Sequence, residues 1–113
     1  MAANEALQKT IDRYHELIRL TPNDAGLVTN LAWSYERAKE YPEAIQAFRR
    51  ALELNSSDHN IFFGLGLAQM GQGDFSEARK SFGRAEELAR NSADRSAMAI
   101  ISQQVASISK RLG

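Results

Sequence analysis

The chain has 113 residues, with 14 Lys+Arg against 14 Asp+Glu, two His and no Cys. That length suits one small domain, and a 43% hydrophobic content suffices for a core. A net charge of zero leaves no basic footprint for nucleic acid or an anionic membrane, and the absence of Cys excludes disulfides, thiolate zinc sites and cysteine nucleophiles.

The N-terminal stretch Met-Ala-Ala-Asn-Glu-Ala-Leu-Gln-Lys has no apolar h-region. No run approaches the ~20 apolar residues of a membrane helix, so the expected setting is cytoplasmic. No segment alternates with period two, and the fold class is read as all-α. Helices are predicted near 4–20, 24–38, 42–54, 58–71, 75–89 and 93–111. Pro22 closes the first, and Asn23 or Asp24 caps the second. Pro42 stands in the first turn of the third, where a missing N–H costs little. Ser57 or Asp58 caps the fourth; Gly71-Gln-Gly73 makes the next turn, and Asp74-x-x-Glu77 is an acidic capping box for the fifth. The last carries one apolar stripe, Met98, Ile101, Val105, Ile108 and Leu112, opposite a Ser- and Gln-rich face.

The segments are related by one constant offset, the spacing that carries Leu31 onto Leu65. The same step takes Ala44 to Ala78, Phe48 to Phe82 and Ala51 to Ala85, while Arg50/Arg84, Glu43/Glu77 and Leu54/Leu88 keep the register. This period and the pattern Val28, Leu31, Ala32, Tyr35, Ala44, Phe48, Ala51, then Phe62, Leu65, Gly66, Gln69, Ala78, Phe82, Ala85, resemble the tetratricopeptide repeat (TPR) family. Two departures stand out: Ser56 and Arg90 replace the closing proline, and Lys39 occupies the place of the turn glycine. The resemblance implies a solenoid of helical hairpins in a single domain, residues 1–113. Residues 1–24 form a half repeat carrying Thr10, Tyr14 and Leu17 as a second helix, 25–58 and 59–92 two full repeats, and 93–113 a capping helix. In strict register that cap puts Ser96 and Gln103 in the large-residue slots; slipped by two, Met98, Ile101, Ser102 and Val105 fit.

Catalysis needs convergent polar groups, and the sequence does not supply them. His15 beside Asp12 and Glu16 reads as a solvated helix face, and Gly64-x-Gly66 and Gly71-x-Gly73 follow no strand and lack dinucleotide-binding spacing. Asn55-Ser56-Ser57, a formal glycosylation sequon, reads as a loop. We therefore expect no enzyme activity, no catalytic residue, no cofactor and no metal.

The informative residues are apolar ones the repeat core does not use. Phe63, Leu67 and Met70 lie about 80–140° round their helix from Phe62, so that helix is apolar on nearly every side. In the TPR resemblance the first helix of each hairpin lines a concave groove. This places Trp33, Phe63, Leu67 and Met70 there, with Thr29, Asn30 and Arg37 as polar members of the set. The expected ligand is an apolar peptide or partner helix, with Trp33 as anchor. Burial between repeats, or beneath the last helix, is the structural alternative for these side chains. The acidic-tail clamp of some family members is excluded by Thr29, Trp33, Gly64, Asp94 and Met98 (or Ser96 and Ile100 for the last two in the slipped register) at positions that need Lys, Asn or Arg. The N-terminal helix has a broad apolar face of its own without a hairpin partner, read as a simple N-terminal cap, as a cut through a longer array, or as a homo-oligomer surface marked by Leu7, Ile11, Tyr14 and Ile18. A self-assembling scaffold is thus the second reading, and a small secretion-type chaperone the third.

Overall fold

The computed structural model describes residues 2–112. It contains six helices in sequence: α1 (Ala2–Leu20), α2 (Ala25–Arg37), α3 (Tyr41–Leu54), α4 (His59–Gly71), α5 (Phe75–Asn91) and α6 (Arg95–Leu112). Among the described residues there is no strand, and no helix is long and apolar enough to cross a membrane.

An aspartate starts each of α2, α4, α5 and α6. Asp24 accepts from the Leu27 amide at 3.1 Å, Asp58 from Asn60 at 2.9 Å, Asp74 from Glu77 at 3.3 Å and Asp94 from Ala97 at 3.0 Å. Each carboxylate satisfies an orphan N–H and faces the positive end of its helix. Glu77 does not return the bond as a capping box requires; its carboxylate pairs with Lys80 at 3.4 Å instead.

The turns repeat as faithfully as the helices. Glu40 N–H donates to Tyr35 O and Lys39 N–H to Glu36 O; one repeat later Asp74 donates to Gln69 O and Gly73 to Met70 O. This closure needs a left-handed residue, and Lys39 (φ 60°), Gly73 (φ 89°) and Ala93 (φ 57°) supply it. Lys39 therefore carries a steric penalty that Gly73 escapes. Lys39→Gly is expected to raise stability by about 1 kcal/mol, and Gly73→Ala, with open space around the added methyl, to lower it by about the same amount. Paired urea melts test both signs.

The core is built in layers. Ala32 of α2 and Ala44, Ala47, Phe48 and Ala51 of α3 pack with Ile61, Leu65 and Ala68 of α4. Ala78 and Phe82 of α5 continue it against Ile108, and Ala85 and Ala89 against Ile101. The small residues set the helix separation: a methyl on Gly66 would lie 2.6 Å from the Phe82 ring, and one on Gly64 would run into the Phe48 ring. One polar pair is sealed inside, the Ser81 hydroxyl donating to Gln69 Oε1 at 2.6 Å. Mutual satisfaction removes the cost of burying either group alone.

Two details depart from strict repetition. Helix α5 runs on to Asn91 where α3 stops at Leu54, and α6 begins at Arg95, two residues after the register set by Ala25 and His59. The displaced helix buries Ile101 and Ile108, with Met98 and Val105 packed beside them. Ser102 is exposed, and Leu112, expected on the buried stripe, is 42% exposed in the final turn.

Candidate functional site

Helices α2 and α4 are the first members of their hairpins, and they touch directly. Between their N-terminal halves lies a cleft of about 230 Å³ bounded by Ala25, Gly26, Thr29, Asn30, Asn55, Asp58 and Ile61. A second cleft of about 110 Å³ lies between α4 and α6, bounded by His59, Asn60, Phe63, Ala97, Ile100 and Ile101. The two are repeat equivalents, because the repeat offset carries Ala25, Gly26 and Thr29 onto His59, Asn60 and Phe63. Their chemistry differs. The first is rimmed by amides, a hydroxyl and a carboxylate, whereas the second has an apolar wall in which Ile100 remains 51% exposed.

The expected binding set is distributed rather than gathered. Thr29 and Asn30 enter the first cleft and Phe63 the second. Trp33 is half-buried, its ring edge-on to Phe48 at 5.3 Å and 88°, and a methyl on Gly64 would lie 3.0 Å from it. Arg37 is exposed in the last turn of α2. Leu67 and Met70, with Phe63, pack into the cluster that holds Phe75, Val105 and Ile108. For these side chains the alternative of packing beneath the last helix applies: α6 lies on them, because its own Val105–Ile108 stripe needs the same burial, and they stay half-buried. Ile100 falls off the three-and-four spacing of α6, but the register slipped by two residues makes it a groove position, and it lines the second cleft.

The α1 set also divides. Ile11 is 2% exposed and closed to a partner, while Ile18 is half-buried and packs against the first core cluster. Leu7 and Tyr14 are half-buried.

Among the described residues, no polar constellation with catalytic geometry forms around the histidines. His15 Nε2 meets the Tyr35 hydroxyl at 2.8 Å, and His59 lies 3.6 Å from Asp94, the α6 cap. Among the described residues no three His, Cys, Asp or Glu side chains converge as metal ligands. Burial, followed by the negative charges of Glu40, Glu43 and Asp12, holds the Tyr35 hydroxyl above the ordinary tyrosine range. The folded form thus keeps its proton where the unfolded chain has lost it. The resulting stability is present below about pH 10 and declines as pH rises through the folded value. Urea melts of wild type and Tyr35→Phe are expected to show a gap that narrows as pH rises above about 10.

Two family profiles match the sequence: one described as TPR repeat over residues 34–73, the other as tetratricopeptide repeat over residues 59–92. Together they run over more than half of the chain. The chain belongs to the tetratricopeptide repeat family. Among related sequences, cellulose synthase operon protein C of Komagataeibacter xylinus is 38% identical over 74 residues, 66% of this TPR chain and 6% of that protein. The chain spans only 6% to 23% of the length of the curated relatives it matches. Among solved structures, PcrH in complex with the chaperone-binding region of PopD superposes with a TM-score of 0.90 at 17% identity, over 96% of this chain and 83% of that one. The first TPR of Spaghetti (RPAP3), bound to the HSP90 peptide SRMEEVD, gives 0.84 at 27% identity, over 96% and 81%. These likenesses establish the TPR solenoid.

Proposed function

We propose that this TPR domain is a non-enzymatic protein-interaction module that holds a peptide segment along the face made by α2, α4 and α6. The observation that carries this reading is the pair of repeat-equivalent clefts, one polar at Thr29 and Asn30, one apolar at Phe63 and Ile100. A segment crossing both meets hydrogen-bonding groups first and an apolar wall second, with Trp33 half-exposed beside the path. Peptide-bound neighbours of the same fold support the choice of ligand class. The absence of a cation at Thr29, Trp33 and Gly64 supports an apolar rather than an acidic recognition element.

The test is a quantitative capture experiment with wild type, Trp33→Ala and Ile100→Asp. Ile100 is half-exposed, so its replacement leaves the core intact. Both variants are expected to lose the same partner, each weakening it by about 30-fold, the scale of an aromatic or apolar hot spot. A partner retained by both would move the interface off this face. The single tryptophan gives a direct signal, because its emission shifts when a segment settles against it.

A further inference from the structure

The two repeat-equivalent clefts differ in charge as well as polarity. Asp58, the cap of α4, lines the first, whereas Asp94, the cap of α6, is outside the lining of the second and lies 3.6 Å from His59. Asp58 is half-buried. Its Oδ1 accepts from the Asn60 amide at 2.9 Å, and among the described residues its carboxylate is in no ion pair. The second oxygen keeps its full acceptor capacity. The Thr29 hydroxyl, in the same lining, has given its proton to Ala25 O at 2.7 Å and can only accept from a ligand.

The surrounding charges add to this field. A second carboxylate borders the first cleft, since a methyl on Gly26 would lie 3.2 Å from Asp24 Oδ1. Helix α4, which walls both clefts, carries no Lys, Arg, Asp or Glu. The cations of the neighbouring helices stand at the margins. Arg19 is exposed in the last turn of α1 and Arg95 at the start of α6, while Glu36 and Arg37 adjoin in the last turn of α2. Arg50 of α3 is paired with Glu53 at 3.1 Å and bonded to Asn23 at 3.4 Å. No Lys or Arg lines either cleft.

We propose that the segment held on this face is extended and carries Lys or Arg for the first cleft, about three residues from an apolar side chain for the second. The inference rests on the groove reading above and names the chemistry of its ligand. Packed helices lie about 8–10 Å apart, so adjacent clefts are separated by roughly the span of three extended residues at ~3.3 Å each. The ammonium or guanidinium meets Asp58 and Thr29 in a partly dehydrated cleft, where a charge-assisted hydrogen bond counts for more than on open surface. The second cleft, walled by Phe63, Ile100 and Ile101, takes the apolar residue.

The test begins with selection from a phage-displayed library of random peptides about 12 residues long, enough when extended to cover the 40 Å long axis of the domain. Wild type is expected to enrich Lys or Arg about three positions from Leu, Ile, Met or Phe. The most enriched sequence is then made as a fluorescein-labelled peptide, with a twin whose cation is replaced by Gln, and anisotropy reads the binding of both. Asp58→Asn removes the charge and keeps the cap, because Asn serves at that position as well as Asp. It is expected to weaken the cationic peptide about tenfold and to leave the Gln twin unchanged. Asp74→Asn, the same change at the cap of α5, is expected to weaken neither. Enriched peptides without a cation, a cationic peptide indifferent to Asp58→Asn, or one weakened equally by Asp74→Asn would overturn the proposal, while loss of binding in Ile100→Asp would still uphold the groove. A selection that enriches nothing over the Trp33→Ala/Ile100→Asp double variant would remove the groove itself, and this inference with it.

Discussion

Phe48→Ala is expected to lower the unfolding free energy by about 3–5 kcal/mol, the upper range for a buried aromatic. Phe48 is 0% exposed, and its ring meets the edge of Trp33 and lies against Gly64. What surrounds it decides the magnitude. Its buried neighbours on α3 are Ala44, Ala47 and Ala51, and the facing residue on α4 has no side chain at all. These short neighbours leave mainly the edge of the Trp33 ring to lean into the hole, so much of the cavity stays open, and cavity volume sets the cost beyond transfer. For a domain of this size, with total stability of about 5–15 kcal/mol, the change removes a large share. Urea denaturation is expected to show a much lower midpoint with an unchanged slope, whereas Leu20→Ala, at an 80% exposed position, moves it within about 0.5 kcal/mol. A loss below about 1.5 kcal/mol for Phe48→Ala would mean that the layer repacks.

The second large effect is a reversal of sign between two identical substitutions. Gly83→Ala, inside α5 with nothing within 4 Å of the added methyl, is expected to raise stability by about 0.8–1 kcal/mol from helix propensity alone. Gly64→Ala gains the same propensity but drives a methyl into the Phe48 ring, with Trp33 3.0 Å away. Overpacking of a rigid core costs about 1–3 kcal/mol, and the ring is enclosed on all sides, so the net change is destabilising. Gly66→Ala, facing the buried Phe82 ring at 2.6 Å, follows Gly64 rather than Gly83. Thermal melts of the three variants check the ordering; a stabilised Gly64→Ala would show that α3 and α4 can separate without cost.

The helical architecture was legible because register is a strong signal. Pairs such as Phe48/Phe82 and Ala44/Ala78 hold one offset, and each proves to be fully buried. Lys39 is visible in the sequence as a misfit at a turn, and its positive φ explains it. The binding face was less legible. A helix apolar on every side, as α4 is, announces that several neighbours cover it but not which ones. Periodicity alone gives Leu67 and Met70 the same status as Trp33, yet α6 lies on the first two. Ile11 and Tyr14 share a stripe on α1, and only the docking angle of α2 separates the buried one from the half-open one. Gly64 reads in the sequence as a groove position without a cation; in the fold it is the seat of the Phe48 ring. The Ser81–Gln69 bond left no trace in the sequence, because Gln69 sits in a slot that Tyr35 fills one repeat earlier.

The serial packing of the helices has a consequence for how the chain assembles. The principal contacts join α1 to α2, α2 to α3, and so on to α6, with α2 to α4 as the longest step among them. Every loop that must close to form them is therefore about one repeat long or shorter, and the entropy lost in closing it is small. Topologies of this kind fold quickly, and nucleation can begin in either central hairpin and spread outward by addition of single helices.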